Sequence, residues 1–112
     1  MEIKENNKVC IITPLSPKLD KREALRLIKE FQTINNKSIA LDLGFVQDCN
    51  FEFFNQIKEF ASTRKLSLFN ISSDIFVIIN FFNLDKIFNL YVSELDFEEE
   101  KHQLLNRKFS LV

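Results

Sequence analysis

A predicted strand that runs directly into a predicted helix does most to limit the folds open to this chain. Both lie in Ser38–Arg64, where Ile39, Leu41 and Leu43 alternate with Ala and Asp, and larger apolar residues then recur at helical spacing. The polar corner between them is Gln47–Asn50. Such a corner lies at the carboxyl end of a sheet, where helix N-termini present unsatisfied N–H groups and α/β proteins place their binding surfaces.

Strand and helix patterns alternate along the rest of the chain. The other predicted strands are Glu2–Lys4, Lys8–Thr13, Leu66–Asn70 and Ile87–Val92. The other predicted helices are Lys21–Ile34, Asp74–Phe82 and Glu94–Asn106, with N-caps at Asp20, at Ser72 or Ser73, and at Ser93. Asp74–Phe82 has the apolar composition of a strand, but its cap and polar neighbours favour a helix. Two prolines predict an extended loop over Thr13–Leu19, and Lys108–Val112 is either a short extra strand or a strap.

This order predicts an α/β fold. We expect a single domain over residues 1–112, with a mixed, mostly parallel sheet of four to five strands packed with about four helices. The length of 112 residues fits one domain. Thirteen Phe residues and no Trp predict a core filled by phenyl rings.

Charge and hydropathy argue against several classes of partner. The net charge is -1, so no basic surface for nucleic acid is indicated. The longest apolar run, Ile75–Ile79, is far shorter than a membrane span, so direct membrane insertion is not expected. The first residues contain neither the basic nor the apolar segment of a signal peptide. We therefore expect a cytoplasmic protein.

The residue types that carry most enzyme chemistry are scarce. Cys10 and Cys49 are far apart, and neither their spacing nor a nearby His supports a disulfide or a metal pair. His102 is the single histidine and lies in a charged segment, so neither a metal site nor a catalytic triad can be assembled. With Gly44 as the only glycine, a phosphate-binding glycine-rich loop is close to excluded. We expect no enzyme activity and no cofactor.

Three segments, in their order and spacing, carry a resemblance to a known family. They are Val9–Ile12 leading to Leu19 and Asp20, then Ile39–Leu43 before the polar corner, and last Ile79–Phe88. On these the chain resembles the STAS domain family, which is named for sulfate transporters and anti-sigma factor antagonists. The resemblance covers essentially the whole length and implies a single STAS-like domain that acts in bacterial transcription regulation.

The family carries a phosphorylated Ser or Thr at the start of its second helix, and this chain departs from that pattern. Without gaps after Leu43 the motif falls on Asn50–Phe53, and with two residues dropped it falls on Asp48–Phe51. No hydroxyl-bearing residue lies between Ser38 and Ser62. The resemblance without the hydroxyl predicts a binding protein that lacks the phospho-switch. Glu52 is either an ordinary first-turn acid or a permanent substitute for the phosphate.

The resemblance also implies a binding surface and two classes of protein partner. The predicted partner-binding residues are Asp20, Lys21, Asp48, Cys49, Asn50, Phe51, Glu52 and Phe53. The partner implied is an anti-sigma factor kinase or, alternatively, the ATPase of an ABC-type lipid transporter that the domain braces. A homodimer formed through the tail is a third hypothesis.

Two residues of the corner have open interpretations. Phe51 either lies flat over a neighbouring loop or anchors a partner. Cys49 is either a redox-sensing thiol at a helix N-terminus or a buried apolar residue.

Overall fold

The computed structural model describes residues 1–99. The strands are β1 (Glu2–Glu5), β2 (Val9–Thr13), β3 (Lys18–Leu19), β4 (Ser38–Asp42), β5 (Asp48–Cys49), β6 (Leu66–Phe69) and β7 (Asn89–Leu90). The helices are α1 (Lys21–Gln32), α2 (Phe51–Ala61), α3 (Ser73–Phe81) and α4 (Glu94–Glu98), with a 3-10 turn over Leu84–Lys86. The tail Lys108–Val112 and the predicted continuation of the last helix lie outside the described residues.

Five strands form one mixed sheet in the order β1-β2-β4-β6-β7. The first pair is antiparallel and the other three pairs are parallel. The register places Ile12 beside Leu41, Leu41 beside Leu68, and Leu68 beside Leu90. The prediction of a mixed, mostly parallel sheet is confirmed, and β4 leads through β5 into the second helix, α2.

The two faces of the sheet carry cores of different size. One face holds the larger core, in which Cys10, Ile39 and Leu66 pack beneath α1, α2 and α3. The other face holds a small cluster of Ile11, Ala40 and Phe69 with Tyr91 and Phe97. Successive residues of a strand point to opposite faces, so the residues that interrupt the apolar alternation of β4 lie on the second face. Ala40 is fully buried there.

Phenyl rings fill the larger core, as the composition predicts. The ring centroids of Phe31 and Phe60 lie 4.9 Å apart and join α1 to α2. The ring of Phe54 lies 5.4 Å from that of Phe53 and 6.3 Å from that of Phe88. These spacings lie in the range of favourable aromatic pairs, so the rings add directional contacts to their hydrophobic burial.

The caps are confirmed, whereas some boundaries differ from the prediction. Ser72 and Ser93 accept hydrogen bonds from the N–H groups three residues on, and the apolar segment after Ser72 is a helix. The last predicted strand, Ile87–Val92, shortens to Asn89–Leu90, because the 3-10 turn occupies the preceding residues and Phe88 N–H still donates to Leu84 O at 2.9 Å. α1 stops at Gln32, two residues before the predicted end.

Candidate partner-binding corner

A short parallel ribbon joins the two segments that the sequence assigns to partner binding. β3 pairs with β5, placing Lys18 beside Asp48 and Leu19 beside Cys49. Pro17 O accepts hydrogen bonds from the N–H groups of residues 47 and 48 at 2.8 and 3.0 Å, and Leu19 O accepts one from residue 50 at 3.1 Å. The segment Thr13–Leu19, predicted as an extended loop, therefore contains the strand β3, and its backbone fixes the corner.

Each strand of this ribbon leads directly into a helix, so two helix N-termini begin side by side. Glu23 N–H donates to Asp20 Oδ1 at 3.0 Å and caps α1. Phe53 N–H donates to Asn50 Oδ1 at 2.8 Å and caps α2. Each helix also carries an acid in its first turn, Glu23 and Glu52, where the helix dipole favours negative charge. The predicted cap at Asp20 is confirmed, and Asn50, for which no capping role was predicted, caps α2 in the same way.

A shallow groove of about 490 Å³ runs between the two helix starts. Its lining residues are Asp20, Lys21, Arg22, Leu25, Asn50 and Glu52. Four predicted binding residues thus share one surface, and Asp48 is exposed beside them. The groove presents carboxylates, cations and an amide around the exposed side chain of Leu25, which was not predicted.

Two predicted binding residues do not reach that surface. Cys49 and Phe53 are each only 1% exposed, so their side chains support the corner from beneath. This corrects the assignment of their side chains as contact residues. Cys49 is buried because Asp48 points outward and the next residue of the strand points inward, whereas Phe53 lies on the buried face of α2 with Phe54 and Ile57. Burial, with a smaller contribution from the charge of Asp48, raises the pKa of the Cys49 thiol to about 12. Burial and the raised pKa both favour the role of a buried apolar residue over that of a reactive redox-sensing thiol.

Phe51 is half exposed, and its neighbour is Phe82, the C-cap residue at the turn that follows α3. Its ring centroid lies 4.7 Å from that of Phe82, whose ring lies 5.0 Å from that of Phe81. These three side chains are 50%, 41% and 76% exposed, in the order 51, 82, 81. We call Phe51, Phe81 and Phe82 the aromatic ridge. Phe81 is the last residue of α3 and Phe82 is its C-cap, so the second half of the ridge lies at the end of this helix.

A hydrogen-bonded turn supports the loop that leads into the corner. Asp42 Oδ1 accepts hydrogen bonds from Gly44 N–H at 2.9 Å and from Asn70 Nδ2 at 3.0 Å. These bonds connect the carboxyl ends of β4 and β6. A Cβ atom added at Gly44 would lie 3.1 Å from the same carboxylate oxygen, so the turn favours glycine by close approach. The loop then presents Phe45, which is 61% exposed.

Within residues 1–99, no group of three or more His, Cys, Asp or Glu side chains is arranged to hold a metal ion. In the same part of the chain, no helix has the length and apolar character needed to cross a membrane.

Comparison with solved structures identifies the fold. The crystal structure of the Thermotoga maritima protein TM1081, provisionally described as an anti-sigma factor antagonist, has a TM-score of 0.71 at 22% identity, covering 88% of this chain and 92% of that one. An NMR structure of TM1081 has a TM-score of 0.72 at 19% identity, covering 88% of this chain and 85% of that one. The chain has a STAS-like fold.

The same fold occurs within a much larger protein. A region of the murine anion transporter Slc26a9 matches with a TM-score of 0.67 at 17% identity, covering 83% of this chain and 17% of that one. No protein-family model matches the sequence, and no curated protein matches it significantly. At these identities the likeness establishes the fold.

Proposed function

We propose that this protein is a non-catalytic, cytoplasmic module that binds a protein partner through the corner, in the manner of anti-sigma factor antagonists, without a phospho-switch at that site. The observation that carries the proposal is the β3–β5 pairing, which joins both predicted segments in one exposed surface. The structural similarity to a protein provisionally described as an anti-sigma factor antagonist also supports the proposal.

The chemistry of the corner suits a protein interface. The groove offers two acids and two bases, which favour a partner with matching charges and exclude many others. The aromatic ridge lies next to it, because Phe51 follows the groove residue Asn50 directly and stacks on Phe82. Exposed aromatic side chains beside a polar rim are typical of the residues that dominate binding energy in protein complexes.

The absence of a hydroxyl separates this corner from the phosphorylated one of the family. The first turn of α2 begins Phe51-Glu52-Phe53, and its cap is an amide. No atom here can accept a phosphoryl group as a Ser, Thr or Tyr oxygen does. Glu52 instead supplies a constant negative charge. We therefore propose that binding is either constitutive or controlled by the partner.

Affinity purification followed by binding measurements on point variants tests this proposal. Recovery of a histidine-kinase-like ATPase is the expected result. Phe51→Ala should weaken its binding about thirtyfold, the effect of removing an interface hot spot. Leu95→Ala is the matched control, because Leu95 is 60% exposed but lies on α4, away from the corner. A partner whose affinity falls with Leu95→Ala and not with Phe51→Ala would contradict the proposed surface.

Phosphorylation provides a second test of the missing switch. After incubation of the protein with ATP and the recovered partner, the intact mass should be unchanged. Stoichiometric phosphate on any residue of the domain, located by peptide mapping, would show that a switch exists elsewhere.

An accessory subunit of a transport system is the second candidate. The observation that favours it is the occurrence of the same fold as 17% of a membrane anion transporter. In this case the domain braces the ATPase of an ABC-type lipid transporter. Recovery of an ABC ATPase in the same purification would favour this candidate over sigma-factor control.

A further inference from the structure

A second concave site lies at the opposite edge of the sheet from the corner. A cavity of about 880 Å³ is lined by residues at or near the start of each parallel strand, namely Val9, Ser38, Ser67 and Asn89. The amino ends of parallel strands meet at one edge, so these four positions share a location. The volume lies within the range of small-molecule binding sites.

Positive charge predominates around this cavity. Lys8, Lys37, Arg64 and Lys65 line it, and Glu98 is the one carboxylate among the lining residues that the structure describes. Two of the cations have partners already: Lys37 Nζ lies 2.7 Å from a carboxylate oxygen of Glu5, and Arg64 donates to two backbone carbonyls. Among residues 1–99, Lys8 and Lys65 form no ion pair, so both ammonium groups are available to an anion.

A buried hydroxyl without a partner points to the same ligand. Ser67 is 5% exposed, and within the described part of the chain its Oγ makes no hydrogen bond. It lines the cavity on the sheet face opposite Leu66 and Leu68, beside the small residue Ala40, its neighbour in β4. A buried polar group left unpaired costs stability, and such groups are rare in folded proteins. A ligand oxygen in the cavity would satisfy this donor.

We propose that the cavity binds a small phosphate-bearing anion, with its phosphate facing Lys8 and Lys65 and accepting a hydrogen bond from Ser67. The amide side chains of Asn7, Asn36 and Asn89 also line the cavity and add further donors. A phosphate offers several strong acceptor oxygens around one centre, which matches ammonium, hydroxyl and amide donors converging from different strands. This site is independent of the partner-binding corner.

Titration of the full-length protein with pyrophosphate and with ATP, followed by calorimetry at near-physiological salt, tests the site. Saturable one-to-one binding of at least one of the two is expected. Equal affinities would assign recognition to the phosphates alone, and tighter binding of ATP would assign a contribution to the nucleoside. The proposal is overturned if neither anion binds saturably up to about 10 mM, the weak limit of specific small-ligand binding.

Paired charge variants locate the binding. Lys8→Gln with Lys65→Gln should weaken binding about a hundredfold, through the loss of two charge-assisted contacts. Lys18→Gln with Lys58→Gln removes the same charge from exposed positions outside the cavity and should leave the affinity within about twofold. Equal weakening by both pairs would reveal general charge attraction and remove the proposed site.

Ser67→Ala gives a readout that does not depend on charge. Without ligand, this variant should unfold at the same temperature as the parent protein or a higher one, since the deleted hydroxyl has no partner. Its pyrophosphate affinity should fall about tenfold, as expected for one hydrogen bond to a charged group. A variant that is destabilised without ligand, or that binds pyrophosphate normally, would contradict the role of Ser67.

Discussion

The two edges of the sheet are held by different kinds of interaction. At the carboxyl edge, backbone hydrogen bonds of β3 and β5 and the caps Asp20 and Asn50 fix the corner. At the amino edge, side-chain hydrogen bonds stabilise the structure. Arg64 donates to the carbonyls of Phe31 and Ile34 at 3.2 and 2.6 Å, near the end of α1. One edge is therefore held mainly by backbone hydrogen bonds and helix caps, and the other by side-chain contacts.

This difference separates what each edge can do. The corner presents both charge signs with an exposed aromatic ridge, a combination suited to a protein partner. The amino edge presents mainly cations around a cavity with a buried, unpaired hydroxyl, a combination suited to a small anion. Substitutions at each edge, followed by measurements of stability and binding, test whether the two edges are as distinct as their contacts indicate.

The largest effect should come from comparing two phenylalanines in the first turn of α2. Phe54 is 1% exposed and contacts the rings of Phe53 and Phe88, so Phe54→Ala should lower the free energy of unfolding by about 3–5 kcal/mol. Phe51 is half exposed, so Phe51→Ala should cost less than about 1 kcal/mol. Urea denaturation of both variants measures the difference. Equal losses would mean that the aromatic ridge belongs to the core and is not a free binding surface.

Arg64 gives the corresponding test at the amino edge. Its guanidinium also lies over the ring of Phe60, 5.6 Å from the centroid. Arg64→Met keeps much of the side-chain volume but removes both donated hydrogen bonds, and should destabilise the protein by about 2 kcal/mol. Lys65→Met is the matched control, because Lys65 is exposed and forms no ion pair within residues 1–99, and should change stability by less than about 0.5 kcal/mol. Denaturation midpoints that fall equally for both would argue against side-chain control of this edge.

The sequence predicts the carboxyl edge better than the amino edge because its signals are local. A cap and the N–H group that donates to it lie only three residues apart, so Asp20, Ser72 and Ser93 could each be predicted as helix starts. The β3–β5 ribbon was not predicted, because two-residue strands have no periodicity and their pairing joins distant segments. Ile87–Val92 alternates like a strand, but the 3-10 turn over Leu84–Lys86 and its hydrogen bonds to Leu84 O occupy its first residues.

The amino-edge cavity could not be predicted from the sequence. Its charged residues, Lys8, Lys37 and Lys65, are dispersed, and each resembles an ordinary surface lysine. A net charge of -1 gives no indication that cations gather at one edge. The burial of Cys49 at the corner could not be predicted from the sequence either. It depends on which residues of β5 face the core, and in this strand Cys49 points inward while Asp48 points outward.

The pH dependence of stability tests how well the corner excludes water. Burial raises the pKa of Cys49 to about 12, against 9.0 for an exposed thiol, so the unfolded chain loses this proton first. The contribution of the buried neutral thiol to the free energy of unfolding is complete below pH 9 and is lost as the pH rises towards 12. This group alone should lower the unfolding free energy by up to about 1.4 kcal/mol per pH unit in that window.

Cys49→Val isolates this dependence from that of other groups. Stability is measured by urea denaturation at pH 8 and pH 10 for both proteins, and the variant should show the shallower fall. Cys10, whose pKa is also raised by burial, titrates in both proteins and cancels in the comparison. Parallel curves would show that water reaches Cys49 and that the floor of the corner is open.

The smallest expected difference between the edges concerns two asparagines whose backbone adopts the left-handed conformation, with positive φ. Asn36 lines the amino-edge cavity at a φ of 59°, and Asn70 ends β6 at the corner at a φ of 55°. With a single glycine in the chain, Asn takes these turns because it is among the residues that tolerate positive φ. Asn36→Ala should therefore cost about 1 kcal/mol, and Asn70→Ala should cost more because it also removes the hydrogen bond to Asp42.

Replacement by Gly should then separate the two positions. Glycine accepts the backbone conformation, so Asn36→Gly should leave the unfolding free energy within about 0.5 kcal/mol of the parent value. Asn70→Gly also removes the 3.0 Å hydrogen bond to Asp42, and should cost about 0.5–1.5 kcal/mol more than the Asn36 replacement. Thermal denaturation of the four variants measures both steps. If the two Gly variants were equally stable, the Asp42–Asn70 bond would contribute nothing, and the turn before the corner would depend on its backbone alone.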